Sequence, residues 1–283
     1  MVDAPTHWTQ FDRLYNLSDP RPYFRGVATG DYRMPGVLAA ILARLMPILA
    51  DRRETVDVPR LIDFACGYGA VGACLRTGST MADLYRIYQA DAPSAGDAAT
   101  FSAHRKGDLP EHWIDGVDIA DVALHYAQSI GALDGAYACN VLTDEIPSGL
   151  RDAVLRADMI YESGAIGDHI AGAMDALLTI CAGKNKPWLL LCPRPRVSVT
   201  AIEQALAHHD YRLETLVEKV RYRRAFSESE MAEEVAAGLR HGLSEQKCAI
   251  DVYFRVDIRI CFPNGDSIDR AKAALKGFRS DQY

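Results

Sequence analysis

Apolar residues recur along this chain with two periods, and the change of period marks its regions. Over residues 7–17 the spacing is helical: Trp8, Phe11, Leu14 and Tyr15 share one face. Ser18-Asp19-Pro20-Arg21-Pro22 then reads as a turn in which prolines stop that helix. A second amphipathic helix is predicted over 35–49. Short apolar runs follow. Leu61, Ile62 and Phe64 form the run expected of a parallel strand buried on both faces. Trp113 to Asp118, Tyr137 to Val141, Ala157 to Tyr161 and Trp188 to Cys192 repeat the pattern. Helical stretches lie between them at 70–75, 81–88, 120–130 and 174–181, with another at 200–208. Residues 91–107 are polar, alanine-rich and broken by glycine, which predicts a mobile surface connection. Near the end the period changes to two. Tyr211 to Val217 alternates, Glu228 to Leu239 is helical, and Asp251 to Phe262 alternates over twelve residues, the clearest antiparallel strand in the chain. The tail after Pro263 is polar, with a short helical stretch, and is expected to be partly disordered.

The segment Arg60 to Arg76, RLIDFACGYGAVGACLR, organises this pattern. It reads as strand, glycine turn and helix. Glycine at such a turn lets a ligand approach the backbone and permits positive φ. The helix behind it presents unpaired N–H groups and a positive partial charge. No Gly-Lys-Ser/Thr follows, so this is not a P-loop. Gly72 comes one residue too late for G-x-G-x-x-G. In an open α/β sheet, ligands bind beyond the carboxyl ends of the strands. Strand ends are therefore the positions to inspect. Asp118 ends the second strand, 51 residues after Gly67, where an acid can accept hydrogen bonds from ribose hydroxyls. Asp115 is the neighbouring acid. Asn140 ends the third strand, and Tyr161-Glu162-Ser163-Gly164 ends the fourth. An asparagine at a strand end also makes turns, and Glu162 could equally cap the next helix.

At 283 residues the chain can build one large domain or a domain with a cap. Its net charge of −7 is not the basic footprint of a nucleic-acid binder. Arg221-Tyr222-Arg223-Arg224 is a local basic run that reads as a solvated face. No apolar run approaches the roughly 20 residues of a membrane span, and no basic-then-apolar leader opens the chain. The seven cysteines have no CxxC or Cys/His spacing for zinc. They are expected to be free and buried, and the protein cytoplasmic.

The Arg60–Arg76 segment resembles motif I of the class I S-adenosyl-L-methionine (SAM) methyltransferases, D-x-G-x-G-x-G. Asp63, Gly67 and Gly69 match, and Ala65 replaces the first glycine, a departure that a negative φ at Ala65 would make mild. Five strand–helix units followed by an antiparallel pair also resemble that family. The resemblance implies an α/β, Rossmann-like class I methyltransferase fold. Its seven-stranded, mostly parallel sheet has the order 3-2-1-4-5-7-6. A helical lid over 1–55 precedes a SAM-binding core over 56–265 and a polar tail over 266–283. It also implies SAM as cofactor, held by Asp63, Ala65, Gly67, Asp118, the adjoining Ile119, Asn140, Val141 and the lid residue Tyr23. Tyr15, Tyr161 and Glu162 are the implied catalytic set, shaping a second pocket with Tyr23. Rings facing a sulfonium would stabilise it by cation–π contact. Cys66 commonly has a counterpart in the family, where it serves packing. The acceptor is expected to be a small molecule, with no metal, nucleic acid or membrane involved.

Two other readings stand beside methyl transfer. The block Tyr15-Asn16, Asp19 to Arg25 and Asp31 to Pro35 resembles the N-terminal part of bacterial small-molecule methyltransferases, whose fold relatives include azetidine-2-carboxylate synthases. Those enzymes close the aminobutyryl arm of SAM on itself and release methylthioadenosine. The third reading is a non-catalytic interaction protein of the same fold.

Overall fold

The computed structural model describes residues 14–52, 58–91, 94–107, 111–164, 167, 169–182 and 186–283. Trp8 and Phe11 of the expected first helix lie outside the described residues, and 14–16 form turns and bends instead of a helix. Two helices precede the sheet, α1 (Arg21–Thr29) and α2 (Met34–Asp51). Pro20 and Pro22 flank the start of α1, so they open a helix where the sequence predicted a stop. First-turn N–H groups lack intrahelical partners, which makes proline harmless there.

The alternating units follow. They run β1 (Arg60–Phe64), α3 (Ala70–Thr77), α4 (Met81–Gln89), α5 (Asp97–His104), β2 (Trp113–Asp118), α6 (Asp121–Ser129) and β3 (Gly135–Ala138). Then come α7 (Ser148–Arg156), β4 (Met159–Tyr161), α8 (Ile170–Ile180), β5 (Trp188–Leu191) and α9 (Val199–Ala207). The chain closes with β6 (Tyr211–Arg224), α10 (Glu228–Arg240), α11 (Glu245–Cys248), β7 (Ala249–Ile250), β8 (Tyr253–Pro263) and α12 (Asp269–Ala274). The sheet order is β3-β2-β1-β4-β5-β8-β6, with the two-residue β7 paired to β8. Strands β1 to β5 pair in parallel, and β8 runs antiparallel to both β5 and β6. Apart from β7, this is the expected 3-2-1-4-5-7-6 sheet.

Period-two alternation in β1 sends neighbouring residues into two separate cores. Leu61 packs with Val37, Leu38, Leu42 and Val71 of α2 and α3. Ile62 and Phe64 pack with Leu150, Val154, Met174 and Ile202 of α7, α8 and α9. Helix α2 is 18 residues long with mean hydropathy 1.5, enough by length and composition to cross a membrane, and more apolar than the sequence reading allowed. Leu38, Ile41, Leu42 and Leu45 are fully buried, so α2 is a core helix of this fold. The expected 1–55 lid is thus divided: α1 stands at the site, and α2 supports the sheet.

Two further expectations are corrected. The stretch 94–107 is structured: α5 buries Phe101 and Asp97, and Asp97 accepts from Arg21 at 2.7 and 3.1 Å and from the Tyr126 hydroxyl at 2.7 Å. The tail is docked as well. Ile268, Ala271 and Leu275 are buried, and Asp266 accepts from Arg52 at 2.6 Å and from the Trp188 indole at 2.7 Å.

Candidate functional site

Strand order reverses at β1, between β2 and β4, which opens a crevice at the carboxyl ends of the parallel strands. A cavity of about 690 Å³ lies there. Small-molecule sites run to roughly 300–1,000 Å³. Its wall has three parts, supplied by the ends of β1 to β3, by the N-terminal segment with α1, and by residues around the ends of β4, β5 and β6.

The first part contains the glycine turn. Ala65, Gly67 and Gly69 have φ of 54°, 50° and 68°. Ala65 therefore departs from the negative φ expected of it, and a left-handed alanine costs about 1 kcal/mol. Ala65 lines the cavity. Gly67 has no space for a side chain, since a Cβ there would lie 2.8 Å from the Tyr15 Cζ and nearer still to its hydroxyl. Asp118 holds this turn. Its Oδ2 accepts the Gly67 N–H at 2.8 Å and its Oδ1 the Ala120 N–H at 2.9 Å. Burial pushes its carboxyl up against the pull of these N–H groups. Asp118 lines the cavity, whereas Asp115, three residues back, does not.

Apolar residues flank the acid. Ile119 is 72% exposed and Leu142 46%, and both line the cavity with Val117 and Val141. Unburied isoleucine and leucine at a cavity wall form a surface that a flat apolar ring can cover. Asn140 lines it too, but its side chain is a turn former: Oδ1 accepts the Leu142 N–H at 3.1 Å.

The N-terminal part contributes Tyr15, Asn16, Tyr23, Val27 and Tyr32. Asn16 fixes its position, with Oδ1 accepting from Val122 and Ala123 N–H at 2.8 and 3.2 Å, which caps α6 from a distant segment. Tyr15 and Tyr23 meet edge to face at 5.2 Å. Burial, and then the charge of Asp118, pushes the Tyr15 hydroxyl well up, and burial does the same to Tyr23. Both keep their protons at neutral pH, so Tyr15 can donate but cannot act as a base. Tyr32 donates to the Ser163 carbonyl at 2.8 Å.

Asp63, Tyr161 and Glu162 do not line the cavity. Asp63 is 1% exposed, and neither its oxygens nor the Tyr161 hydroxyl has a hydrogen-bond partner among the described residues. Burial raises the Asp63 carboxyl well above the usual range, and the Tyr161 hydroxyl opposes that rise only at longer reach. Glu162 is fully buried and accepts the backbone N–H groups of Gly164 and Cys192, which ties the end of β4 to the end of β5. Burial outweighs those two donors and pushes its carboxyl up to about 7. Its expected catalytic place is taken by this structural bond. Burial also pushes the Cys66 thiol well up, which removes it as a nucleophile.

Of the third part, sequence reading reached Gly164 at the end of the fourth strand and missed His169, Arg194, Tyr222, Arg223 and Phe226. Arg223, expected on a solvated face, is 5% exposed and grips the buried Glu230 of α10 at 2.7 and 3.1 Å. Arg194 and Arg196 each donate to Glu234 at 2.6 Å. Tyr222 donates to the Gly164 carbonyl at 2.9 Å. These ion pairs join residues 7 to 40 apart in the chain, so no local motif announces them. The position of Arg194 just beyond β5 was the available signal. Among the described residues no group of three His, Cys, Asp or Glu is placed to hold a metal.

No protein-family model matches the chain, and no curated protein sequence matches it. Among solved structures it is similar to magnesium protoporphyrin IX methyltransferase from Synechocystis PCC 6803 with bound SAM. There the identity is 9%, the cover 80% of this chain and 79% of that one, and the TM-score 0.39. It is also similar to the plantazolicin methyltransferase BpumL in complex with SAH, with 12% identity, 81% and 85% cover and a TM-score of 0.40. A third is the O-methyltransferase of a trans-AT polyketide multienzyme of Brevibacillus brevis in complex with S-adenosyl-L-homocysteine, with 13% identity, 83% and 78% cover and a TM-score of 0.34. At these values the functional reading rests on the residues of the site itself.

Proposed function

We propose that this chain is a SAM-dependent methyltransferase acting on a small molecule. One observation carries the reading: a single cavity at the switch point of the sheet joins an acid-braced glycine turn to a second chamber of aromatic and arginine side chains. The first compartment fits SAM. Its turn is closed to any side chain at Gly67, Asp118 has lone pairs left for ribose hydroxyls, and Ile119 and Leu142 offer an apolar slot for a flat base. SAM supplies an activated methyl group on a sulfonium. The protein's part is to align the acceptor with it and to exclude water. Tyr15 and Tyr23 stand over the glycine turn with their hydroxyls protonated, as neutral rings that can face a cation. His169 lines the second chamber, where its ring nitrogens can hydrogen-bond an acceptor.

The test uses pure protein and methyl-labelled SAM. Calorimetry is expected to show SAM and S-adenosylhomocysteine binding, and label is expected to pass to a component of a small-molecule extract. Methylthioadenosine formed from SAM alone would replace methyl transfer with intramolecular ring closure. Absence of binding to either nucleoside would leave a non-catalytic protein of this fold.

A further inference from the structure

We propose that Asn16 is a positioning residue that latches the segment 14–19 over the cofactor compartment, so that SAM and its demethylated product exchange only when this latch opens. The inference rests on SAM being the cofactor. Residues 14–19 run ahead of α1 as turns and bends, a strap with three fastenings. Asp19 Oδ1 accepts the Arg21 N–H at 3.0 Å, which ties the strap to α1. The Tyr68 hydroxyl, which belongs to the glycine turn, accepts the Leu17 N–H at 2.7 Å and donates to the Leu17 carbonyl at 3.0 Å. Asn16 Oδ1 accepts the N–H groups of Val122 and Ala123 at 2.8 and 3.2 Å, in the first turn of the helix that starts three residues after Asp118.

Tyr15 is the part of the strap that stands in the way. Its hydroxyl fills the space in front of Gly67, where a Cβ would collide with it. A ligand lying against the glycine turn therefore reaches it only after Tyr15 has moved. Tyr23 and Tyr68 flank the Tyr15 ring edge to face at 5.2 and 5.9 Å, so the ring leaves by a shift of the strap rather than by turning in place.

The latch is built to open at low cost and to close again. The bonds of Asn16 to the Val122 N–H and, at 3.3 Å, to Asp121 Oδ1 are exposed, where water replaces them with little net loss. The Val122 N–H also has Asp121 Oδ1 at 2.8 Å, so it keeps an acceptor when Asn16 leaves. Closure restores a cap that α6 lacks locally, because Ala120 at its head offers no side-chain acceptor. The contact to α6 does not touch the ligand. Its loss therefore eases opening to the same extent before entry and before release.

Stopped-flow binding of S-adenosylhomocysteine tests this on Asn16→Gly, which removes the capping side chain and suits the left-handed backbone at this position, φ 62°. Losing a capping side chain makes association and dissociation each about 5-fold faster, with affinity nearly unchanged. Faster dissociation alone would make Asn16 a residue that holds the ligand, and unchanged rates would make it a packing residue; either result overturns the inference. Hydrogen exchange on the wild type, read by NMR, does not depend on a variant folding. The Val122 and Ala123 N–H groups are expected to exchange more slowly with S-adenosylhomocysteine bound, because ligand contacts then hold the strap closed. Exchange indifferent to the ligand would also overturn the inference. Failure of the wild type to bind S-adenosylhomocysteine would instead overturn the cofactor reading.

Discussion

Replacing Asp118 with alanine separates what this residue does for the fold from what it does for a ligand. Its two oxygens accept the N–H groups of Gly67 and Ala120 in a site 7% exposed. Alanine leaves both donors without an acceptor. A hydrogen bond to a charged group contributes about 1.5–3 kcal/mol, and a buried donor stranded by mutation costs about 1–3 kcal/mol. Burial has already raised the carboxyl, so part of that gain is spent on desolvation. The expected loss is therefore about 2–4 kcal/mol, read as a lower urea midpoint with an unchanged slope. Asn offers one acceptor in place of two, so Asp118→Asn should lose about half as much. Calorimetry on the folded fraction then measures the second effect, a SAM affinity roughly 10- to 150-fold weaker from lost ribose bonds. If Asp118→Ala unfolds at the wild-type midpoint, the carboxylate does not brace the turn. If it binds SAM normally, the ribose assignment fails.

Three further outcomes follow from the same geometry. Gly67→Val should abolish SAM binding while circular dichroism stays native, because a Cβ at this left-handed position displaces Tyr15; a folded variant of normal affinity would show that the turn does not hold the ligand. Ala65→Gly should stabilise the protein by about 1 kcal/mol by removing the left-handed alanine, and a lower melting temperature would contradict this. Glu162 gives a pH dependence: its pKa rises from 4.5 to about 7 on folding, so the folded state binds the proton more tightly. Its contribution is present below pH 4.5 and lost as the pH rises through 7, a change of about 3 kcal/mol. The stability gap between wild type and Glu162→Gln should shrink by that amount over this window, and a gap constant with pH would refute it.

The parallel strands were legible because each is a short apolar run, with an acid or amide at or just beyond the ends of β2, β3 and β4, and β2 with Asp118 is bounded as the sequence predicted. Helix α5 was not legible, since Asp-Ala-Ala-Thr-Phe-Ser-Ala-His turns only Asp97 and Phe101 inward. Helix α7 was overlooked although Leu150, Ala153 and Val154 have the spacing of a buried face. In the site, backbone-dictated positions could be read: the glycine turn and the end of β2. What side chains do after folding could not. Glu162 bonding to backbone N–H groups, Asn16 capping α6 and Arg223 turning inward all depend on partners far along the chain or on an irregular edge, where β6 shifts register against β8.

The ion pair between Arg21 and Asp97 has a consequence for descent. It fastens α1, which forms part of the cavity wall, to α5, which lies in the long connection before β2. A buried pair adds little net stability, but losing Arg21 leaves the Asp97 charge stranded at a cost of about 3–5 kcal/mol, whereas losing Asp97 leaves Arg21 with Asp19 at 3.1 Å. A lineage that lost Arg21 would have to replace Asp97 in the same step or forfeit its roof. The two stretches, more than seventy positions apart, are therefore expected to be inherited as a unit, and a chimera exchanging only one of them should misfold where one exchanging both does not.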